Sequence, residues 1–348
     1  MQWRNLLKKS IHTIDGLPPA LRPDDREAAL VVKRYPMRIN PYYLSLIRQK
    51  YDPLWKQAVP DITELNDTVC MADPLGEEHL SPVPNLVHKY PDRALFLVTS
   101  QCAMYCRFCT RKRKVGTKSM VISQDTIKAG LDYLKRTPAV RDVLVSGGDP
   151  LLLDDDFLDW LLASLRAIPS IEIIRIGSRA PCTLPMRITT RLVKVLKRYH
   201  PLYINTHFNH PSEITPESSL ACNRLADAGI PLGCQTVLLR GVNDRPEIIK
   251  ELLRKLLMIR VKPYYLFQGD MTRGTNHFRT SIECGLEIMR SIIGHMSGLA
   301  VPTYAVDAPG GGGKIPLIPE YIKEFGDTLV FSNYQGLICT YDNQRTEG

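Results

Sequence analysis

The chain has 348 residues, of which 44% are hydrophobic and 23% are charged, and its formal net charge is +9. This composition is typical of a globular protein, and no stretch approaches the roughly 20 apolar residues of a membrane span. The chain has nine cysteines, an odd number that cannot all pair as disulfides, and no signal segment is recognisable. We therefore expect a reducing, cytoplasmic environment and no membrane partner. The basic residues are spread out apart from the run at 111–114, so we expect no nucleic-acid partner.

The first 75 residues are polar, helical in pattern and interrupted by prolines, which predicts a helical N-terminal extension. From residue 93 onward, short apolar runs rich in β-branched residues alternate with helical patterns. The predicted strands cover 94–98, 142–145, 171–176, 202–205, 235–239, 261–267 and 301–306. The predicted helices cover 123–136, 157–167, 189–199, 216–228, 245–258 and 282–293.

This alternation predicts the α/β class, with a parallel sheet, right-handed crossovers and six or so βα units in a barrel or partial barrel. We place the main domain at 76–320 and a C-terminal segment at 321–348. Polar or glycine-rich motifs follow six of the predicted strands, at the ends where α/β barrels place their active sites. These motifs begin at Cys102, Ser146, Ser178, Thr206, Asp270 and Asp307.

Cys102, Cys106 and Cys109 lie in one short stretch with CxxxCxxC spacing, directly after the first predicted strand. Three thiolates are one fewer than the corners of a four-iron cluster, so a cluster held here keeps one iron open to a small molecule. A zinc site would need a fourth ligand, and the nearest candidates, His88 and Cys182, lie well outside the stretch. The spacing therefore favours a [4Fe-4S] cluster over zinc or inert thiols.

Two glycine-containing segments are candidates for ligand binding. The stretch Ser146, Gly147, Gly148 and Asp149 is either a tight turn or a place where the backbone approaches a ligand closely. The second segment has four glycines before Lys314, and its apolar flanks are unlike those of a flexible linker. A lysine carried on such a loop into a barrel mouth can attack an aldehyde, as attachment of pyridoxal 5'-phosphate (PLP) requires.

Charged and imidazole side chains at the strand ends complete the candidate site. The basic run at 111–114 is either a solvated patch or a set of partners for an anionic ligand. Asp270 and Asp307 are either caps and surface residues, or a carboxylate pair that holds a cation or performs acid–base work. For His207 we expect a hydrogen-bonding role rather than metal binding together with His210.

The CxxxCxxC motif resembles the signature of radical S-adenosylmethionine (SAM) enzymes, and the chain is similar to the lysine 2,3-aminomutase family over about residues 30–342. The motifs that carry this likeness are YCRFCTR at 105–111, RIGSR at 175–179, NTHFNHP at 205–211, VLLRGVND at 237–244 and DAPGGGGK at 307–314. The resemblance implies a radical SAM partial (β/α)6-type TIM barrel that uses a [4Fe-4S] cluster, SAM and PLP. It implies an isomerase that interconverts L-lysine and β-lysine by 2,3-amino migration.

By that resemblance, the three cysteines bind the cluster, and SAM lies against the backbone of 146–149 with His207 nearby. Lys314 forms the PLP aldimine, and Gln235 and Lys89 neighbour the PLP phosphate. The implied substrate-binding residues are Arg111 for the lysine carboxylate and the pair Asp270 and Asp307 for its ε-ammonium. Two anions at that position argue against a substrate with a distal carboxylate.

The resemblance also implies an electron donor such as flavodoxin or ferredoxin, and a homo-oligomer. Long members of the family bind structural zinc through a C-terminal cysteine cluster, but here Arg245 follows Asp244 and the chain ends at Gly348, so we expect no such zinc. One alternative is the same chemistry on arginine, glutamate or a lysine derivative, or a supply of β-lysine for elongation factor P. Another alternative is a basic binding protein stabilised by zinc or a cluster, with salt-sensitive affinity for nucleic acid.

Overall fold

A computed structural model describes residues 2–25 and 27–343 and has a nine-stranded sheet at its centre, with the strands in chain order from edge to edge. The strands are β1 Leu86–Tyr90, β2 Arg93–Thr99, β3 Asp142–Gly147, β4 Ile173–Gly177, β5 Leu202–Thr206, β6 Leu232–Leu238, β7 Lys262–Gln268, β8 Thr303–Ala308 and β9 Gly313–Pro316. Strands β2 to β8 are parallel, and β1 and β9 pair antiparallel at the two edges. The predicted α/β class and partial barrel are confirmed.

Within the described residues, four short helices precede the sheet, and seven further helices, six of them longer, connect its parallel strands. The first group is α1 Gln2–Lys8, α2 Ala28–Arg34, α3 Pro41–Leu46 and α4 Pro53–Ala58. The second group is α5 Gln124–Arg136, α6 Asp155–Arg166, α7 Ala180–Thr183, α8 Thr190–Lys197, α9 Pro216–Asp227, α10 Pro246–Met258 and α11 Ile282–Ile292. Ser123, Thr215 and Ser281 begin α5, α9 and α11 as side-chain N-caps, which is why these helices start where the sequence predicts.

Alternate side chains along each parallel strand face the helices or the barrel interior. On β3, Val143 and Val145 face the helices and are fully buried in the main hydrophobic core. Their neighbours Leu144 and Ser146 face the interior and are only half-buried, as is Arg175 on β4. The helix-facing side supplies the core, and the interior face leaves the room that a ligand needs.

The N-terminal residues pack directly against the barrel. Tyr43 and Trp55 are 0% and 1% exposed and belong to the same core as the strands. Asn40 caps α3 and donates from Nδ2 to the carbonyl oxygen of Thr183 at 2.8 Å. This part of the chain therefore helps to position the loop after β4.

Beyond the barrel, β10 Ile322–Glu324, β11 Thr328–Ser332 and β12 Ile338–Asp342 form a three-stranded antiparallel sheet. Neither this sheet nor the edge strands β1 and β9 are predicted from the sequence. These strands are short, and β9, β10 and β12 are largely exposed, so they differ from the buried, apolar parallel strands. None of the helices within the described ranges is long and apolar enough to span a bilayer.

Candidate active site

Two loops at the carboxyl ends of the parallel strands carry six of the candidate residues, among them the three cysteines and Lys314. The cysteine loop, residues 100–123, connects β2 to α5. The glycine loop, residues 307–314, turns from the end of β8 into β9. The carboxyl ends of the strands form one face of an α/β barrel, so both loops belong to the face where such proteins carry out their chemistry.

Gly147 and Gly148 bring the end of β3 against the beginning of the cysteine loop. A Cβ atom at Gly147, where φ is +125°, would lie 2.3 Å from the carbonyl oxygen of Thr99, and one at Gly148 would lie 2.4 Å from that of Gln101. Gly148 N donates to Thr99 O at 2.5 Å, and Asp149 N donates to Gln101 O at 2.7 Å. Only glycine allows this approach of two backbones, which fixes where the cysteine loop begins.

The three thiols of the cysteine loop are half-buried and unpaired. Burial, and then the charges of Asp149 and the other two thiols, raises the pKa of Cys102, while burial and Cys106 raise the pKa of Cys109 to about 11. Metal coordination deprotonates such thiols and offsets their mutual repulsion.

Among the residues that the structure describes, no three His, Cys, Asp or Glu side chains converge on a position for a single metal ion. A cluster needs no such convergence, because each thiolate binds its own iron. The donor set on the cysteine loop, which consists of Cys102, Cys106 and Cys109, therefore fits a [4Fe-4S] cluster.

A buried ion network joins the cysteine loop to the N-terminal residues. Glu64 accepts hydrogen bonds from Arg107 Nε at 2.9 Å and from Lys112 Nζ at 2.8 Å. Burial alone would raise the pKa of Glu64, but these two cations lower it to about 2. Lys112 Nζ also donates to the carbonyl oxygen of Gly274, in the loop after β7, at 2.8 Å. The sequence analysis assigns no role to Glu64, because its partners lie 43 and 48 positions away.

Asp149 holds the loop after β4 against the cysteine loop. Its carboxylate accepts hydrogen bonds from Ser178 Oγ at 2.7 Å and from Arg179 N at 2.9 Å, and its burial raises its pKa. Arg179 in turn places Nη1 2.8 Å from Cys106 Sγ. The role of Asp149 in cofactor binding stays a prediction. Its carboxylate is engaged by protein donors and supports the cysteine loop.

His207 lies beside the cysteine loop, with its ring centroid 5.4 Å from that of Phe108. Its Nε2 atom is 3.0 Å from Asn209 Oδ1. Burial, and then the charge of Arg179, lowers the pKa of His207 to about 3, so the imidazole is neutral at physiological pH. A neutral imidazole with one nitrogen engaged by Asn209 keeps its other nitrogen for one further hydrogen bond.

The interior face of the barrel carries polar side chains between the two loops. Ser146 on β3 and Gln235 on β6 are half-buried there. Asn205 on β5 is 8% exposed, and its Nδ2 atom has no hydrogen-bond partner among the described residues. An unpaired buried donor costs about 1–3 kcal/mol, so a ligand that accepts from it gains affinity. Asn205 is a candidate ligand-binding residue that the sequence analysis includes in a motif without assigning it a role.

Lys314 and Lys89 meet at the carboxylate of Asp307. Lys314 Nζ lies 3.1 Å from Asp307 Oδ2, and Lys89 Nζ lies 3.4 Å from Asp307 Oδ1. The backbone N–H of Lys314 donates to the hydroxyl of Tyr90 at 3.0 Å. These contacts link β1 to β8 and β9. Within the described ranges, no backbone hydrogen bonds of the sheet join its two edge strands, β1 and β9.

Asp270 and Arg111 extend the same charged cluster. Burial, and then the charge of Asp307, raises the pKa of Asp270 to about 7, although the nearby lysines oppose this rise. Arg111 interacts electrostatically with Asp270 and donates to Glu77 from Nε at 2.9 Å and from Nη2 at 2.5 Å. Glu77 is 5% exposed and is a second residue that the sequence analysis misses, because nothing in its local sequence marks it.

The basic run at 111–114 is paired with protein carboxylates. Arg113 Nη2 lies 3.1 Å from both Asp73 Oδ1 and Glu78 Oε1, and Lys114 Nζ lies 3.2 Å from Glu78 Oε1. The other two members of the run pair with Glu77 and Glu64, as described above. The run therefore ties the cysteine loop to acidic neighbours and is not a solvated patch.

Residues 73–80 link the two loops. Besides the acidic contacts to the cysteine loop, the carbonyl oxygen of Pro74 accepts a hydrogen bond from Gly310 N at 2.9 Å. Gly76 has a φ of +65°, and a Cβ there would lie 3.2 Å from the carbonyl carbon of Gly310. This close backbone contact couples the position of the glycine loop to that of Arg111.

The predicted site residues fall into three groups on this face. The charged cluster consists of Arg111, Asp270, Asp307, Lys314 and Lys89. The cysteine loop carries the three thiols, with His207 beside it and Gly147, Gly148 and Asp149 supporting it. Ser146 and Gln235 lie on the interior face, and no contact between described residues brings Gln235 to the lysines.

Comparison with known proteins adds independent findings. A family model described as the radical SAM superfamily matches residues 96–254, and one described as lysine-2,3-aminomutase matches residues 289–346. The chain is 52% identical to an L-lysine 2,3-aminomutase of Methanococcus maripaludis, over 98% of this chain and 80% of that protein. It is 51% identical to an L-lysine 2,3-aminomutase of Clostridium subterminale, over 97% of this chain and 83% of that protein. A glutamate 2,3-aminomutase of Clostridioides difficile is 43% identical, over 98% of this chain and 83% of that protein.

Proposed function

The chain belongs to the lysine 2,3-aminomutase family, and from that premise we propose that it is an isomerase that interconverts L-lysine and β-lysine. The observation that carries the choice of substrate is the pair of carboxylates, Asp270 and Asp307, on the same face as Lys314 and Arg111. A substrate with a carboxylate at one end and an ammonium at the other matches this distribution of charge.

The protein offers fitting residues for each cofactor of this family. Three thiols on the cysteine loop would hold the [4Fe-4S] cluster, the interior face near Ser146 and Asn205 would receive SAM, and Lys314 would bind PLP. When bound, the cluster and SAM supply a radical that removes a hydrogen atom, and PLP carries the amino group that migrates. The protein contributes orientation and the exclusion of water.

Arg111 would hold the α-carboxylate of lysine. Its Nε and Nη2 atoms already donate to Glu77, which fixes the plane of the guanidinium and leaves Nη1 for a ligand. Glu77 therefore determines the direction in which Arg111 presents its remaining donors.

Asp270 and Asp307 would hold the ε-ammonium of lysine. Asp270 has no hydrogen bond to its carboxylate among the side-chain contacts of the described residues, so it offers both oxygens to a substrate. Asp307 already contacts Lys89 and Lys314 through one oxygen each, and its carboxylate has further acceptor sites for a third cation.

A low-potential electron donor such as flavodoxin or ferredoxin would reduce the cluster, and the protein would work in the cytoplasm as a homo-oligomer. The family membership and the need for a reduced cluster support these assignments. An acidic donor suits a chain with a formal net charge of +9.

An anaerobic assay of the reduced, cluster-loaded protein with SAM and PLP tests the proposed function. Offered lysine, arginine and glutamate separately, it should convert lysine to β-lysine at the highest kcat/KM, with chiral chromatography identifying the product. Lys314→Ala should abolish turnover and the visible absorbance of lysine-bound PLP while leaving the iron content unchanged. A preference for glutamate would instead favour the activity of the Clostridioides difficile relative and would reject lysine as the substrate.

A further inference from the structure

Arg179 is a buried cation whose guanidinium contacts one of the three cluster-loop thiols directly. Its side chain is 9% exposed, and Nη1 lies 2.8 Å from Cys106 Sγ. Nη2 donates to Glu213 Oε1 and to Gln57 Oε1, both at 2.7 Å, and Nε lies 3.4 Å from the carbonyl oxygen of His207. The three nitrogens of the guanidinium therefore all have partners, and one of those partners is a sulfur atom.

The surroundings of Arg179 leave it little freedom. Glu213 is fully buried and accepts hydrogen bonds from Tyr43 Oη at 2.8 Å and from Asn209 N at 2.7 Å in addition to that from Arg179. The guanidinium also lies 5.1 Å from the ring centroid of Phe108, on the cysteine loop. Because its anchors are themselves buried and hydrogen-bonded, Arg179 is held with Nη1 directed at Cys106.

Arg179 is paired with a buried carboxylate and contacts a sulfur atom at the same time. Nη2 lies 2.7 Å from Glu213 Oε1, so the guanidinium is a buried cation with a counter-charge, and Nη1 donates to Cys106 Sγ.

We propose that Arg179 is a positioning residue that raises the reduction potential of the [4Fe-4S] cluster through its hydrogen bond to Cys106. The proposal rests on the proposed function, because it takes Cys106 as a cluster ligand. Hydrogen bonds to cluster sulfur and positive charge near the cluster both favour the state with the extra electron. In the step concerned, the oxidised cluster accepts one electron from a low-potential donor, and no bond is made or broken.

Redox titration of the anaerobically reconstituted protein, with dithionite as the reductant and electron paramagnetic resonance as the readout, tests this proposal. In Arg179→Gln the equilibrium for cluster reduction should become about tenfold less favourable, which corresponds to a midpoint about 59 mV more negative for a one-electron couple. The matched control is Arg175→Gln, which removes the other arginine of the same motif, because Arg175 pairs with Asp142 at 2.8 Å instead of with a thiol. Its midpoint should equal that of the parent protein.

Two outcomes contradict the proposal. An unchanged midpoint in Arg179→Gln with a full complement of iron would reject it, and so would an equal shift in Arg175→Gln. If Arg179→Gln does not assemble a cluster, Arg179→Lys is titrated instead. That variant keeps the positive charge but loses the planar fork, so its midpoint should be more negative than that of the parent protein, and an equal midpoint would reject the proposal. If the parent protein itself shows no [4Fe-4S] signal, the proposed function fails rather than the role of Arg179.

Discussion

The cysteine loop is anchored by ion pairs to fully buried glutamates, whereas the lysine at the end of the glycine loop is still reached by solvent. The side chains of Arg107, Lys112 and Arg179 are at most 9% exposed, and each pairs with a fully buried glutamate. The side chain of Lys314 is 34% exposed, and within the glycine loop Gly310 is exposed with a φ of +71°. The two halves of the same face thus differ in how rigidly they are built.

This difference corresponds to what each half would do. A cluster must be held at a constant distance from its reaction partner, so rigid support from buried ion pairs is suitable. Lys314 would have to exchange one partner for another during a reaction cycle, so a more exposed amine on a glycine-rich loop is suitable.

Removing the charge of Glu64 should break the anchor of the cysteine loop. Glu64→Gln leaves Arg107 and Lys112 buried without their counter-charge, and we expect the free energy of unfolding to fall by about 3–5 kcal/mol. Urea denaturation followed by circular dichroism measures this change. The matched control is Glu78→Gln, since the Glu78 side chain is 61% exposed and should contribute less than about 1 kcal/mol. Similar losses in both variants would contradict the contrast between buried and exposed support.

Replacing Arg111 should weaken substrate binding more than replacing its neighbour in the basic run. Arg111→Lys removes the planar fork, and we expect KM for lysine to rise by about tenfold or more, because hydrogen bonds to charged groups contribute about 1.5–3 kcal/mol. Arg113→Lys keeps a cation beside Asp73 and Glu78 and should leave KM unchanged. Steady-state kinetics with varied lysine makes the comparison, and equal KM values for the two variants would reject the assignment of Arg111.

The raised pKa of Asp270 predicts a pH dependence of substrate capture. Below about pH 7 the free protein holds Asp270 protonated, and a neutral acid cannot neutralise the ε-ammonium of lysine. We therefore expect kcat/KM for lysine to fall by about tenfold per pH unit below 7 and to be level above it, because kcat/KM reports groups of the free enzyme. In Asp270→Asn the activity should be lower and this inflection should disappear. An identical inflection in that variant would assign it to another group.

The smallest expected effect concerns the backbone of the glycine loop. Gly310 and Gly298 both have open space where a Cβ would be added, but only Gly310 has a positive φ. Gly310→Ala should therefore destabilise the protein by about 1–2 kcal/mol, whereas Gly298→Ala should be neutral or slightly stabilising. Thermal unfolding of the two variants measures the difference. Equal melting temperatures would show that the glycine loop relaxes without strain.

Local patterns in the sequence were sufficient for the parallel strands and their helices. Apolar runs such as 142–145 and 171–176 coincide with β3 and β4, because a strand buried on both faces needs an apolar run wherever it occurs. The edge strands and the sheet formed by β10 to β12 were not predicted, because a short exposed strand is stabilised by its neighbours more than by its own composition.

The candidate site was predictable only in part. Cys102, Lys314 and Asp270 were recognisable because each lies at a strand end within a motif, and strand ends meet on one face of a barrel. Glu64, Glu77 and Glu213 were not recognisable, because each is an ordinary acidic residue until the fold places an arginine or lysine against it. The paired state of the basic run at 111–114 was missed for the same reason.

The sequence by itself determined the alternation of strands and helices, the spacing of the three thiols and the presence of a lysine after a run of glycines. These features are local, since they depend on residues a few positions apart. Only the tertiary structure decided which charges are paired and how deeply they are buried, because Arg111 meets Glu77 across 34 positions and Lys89 meets Asp307 across 218. An ion pair depends on distance through space and on the exclusion of water, and neither quantity is written in the order of the residues.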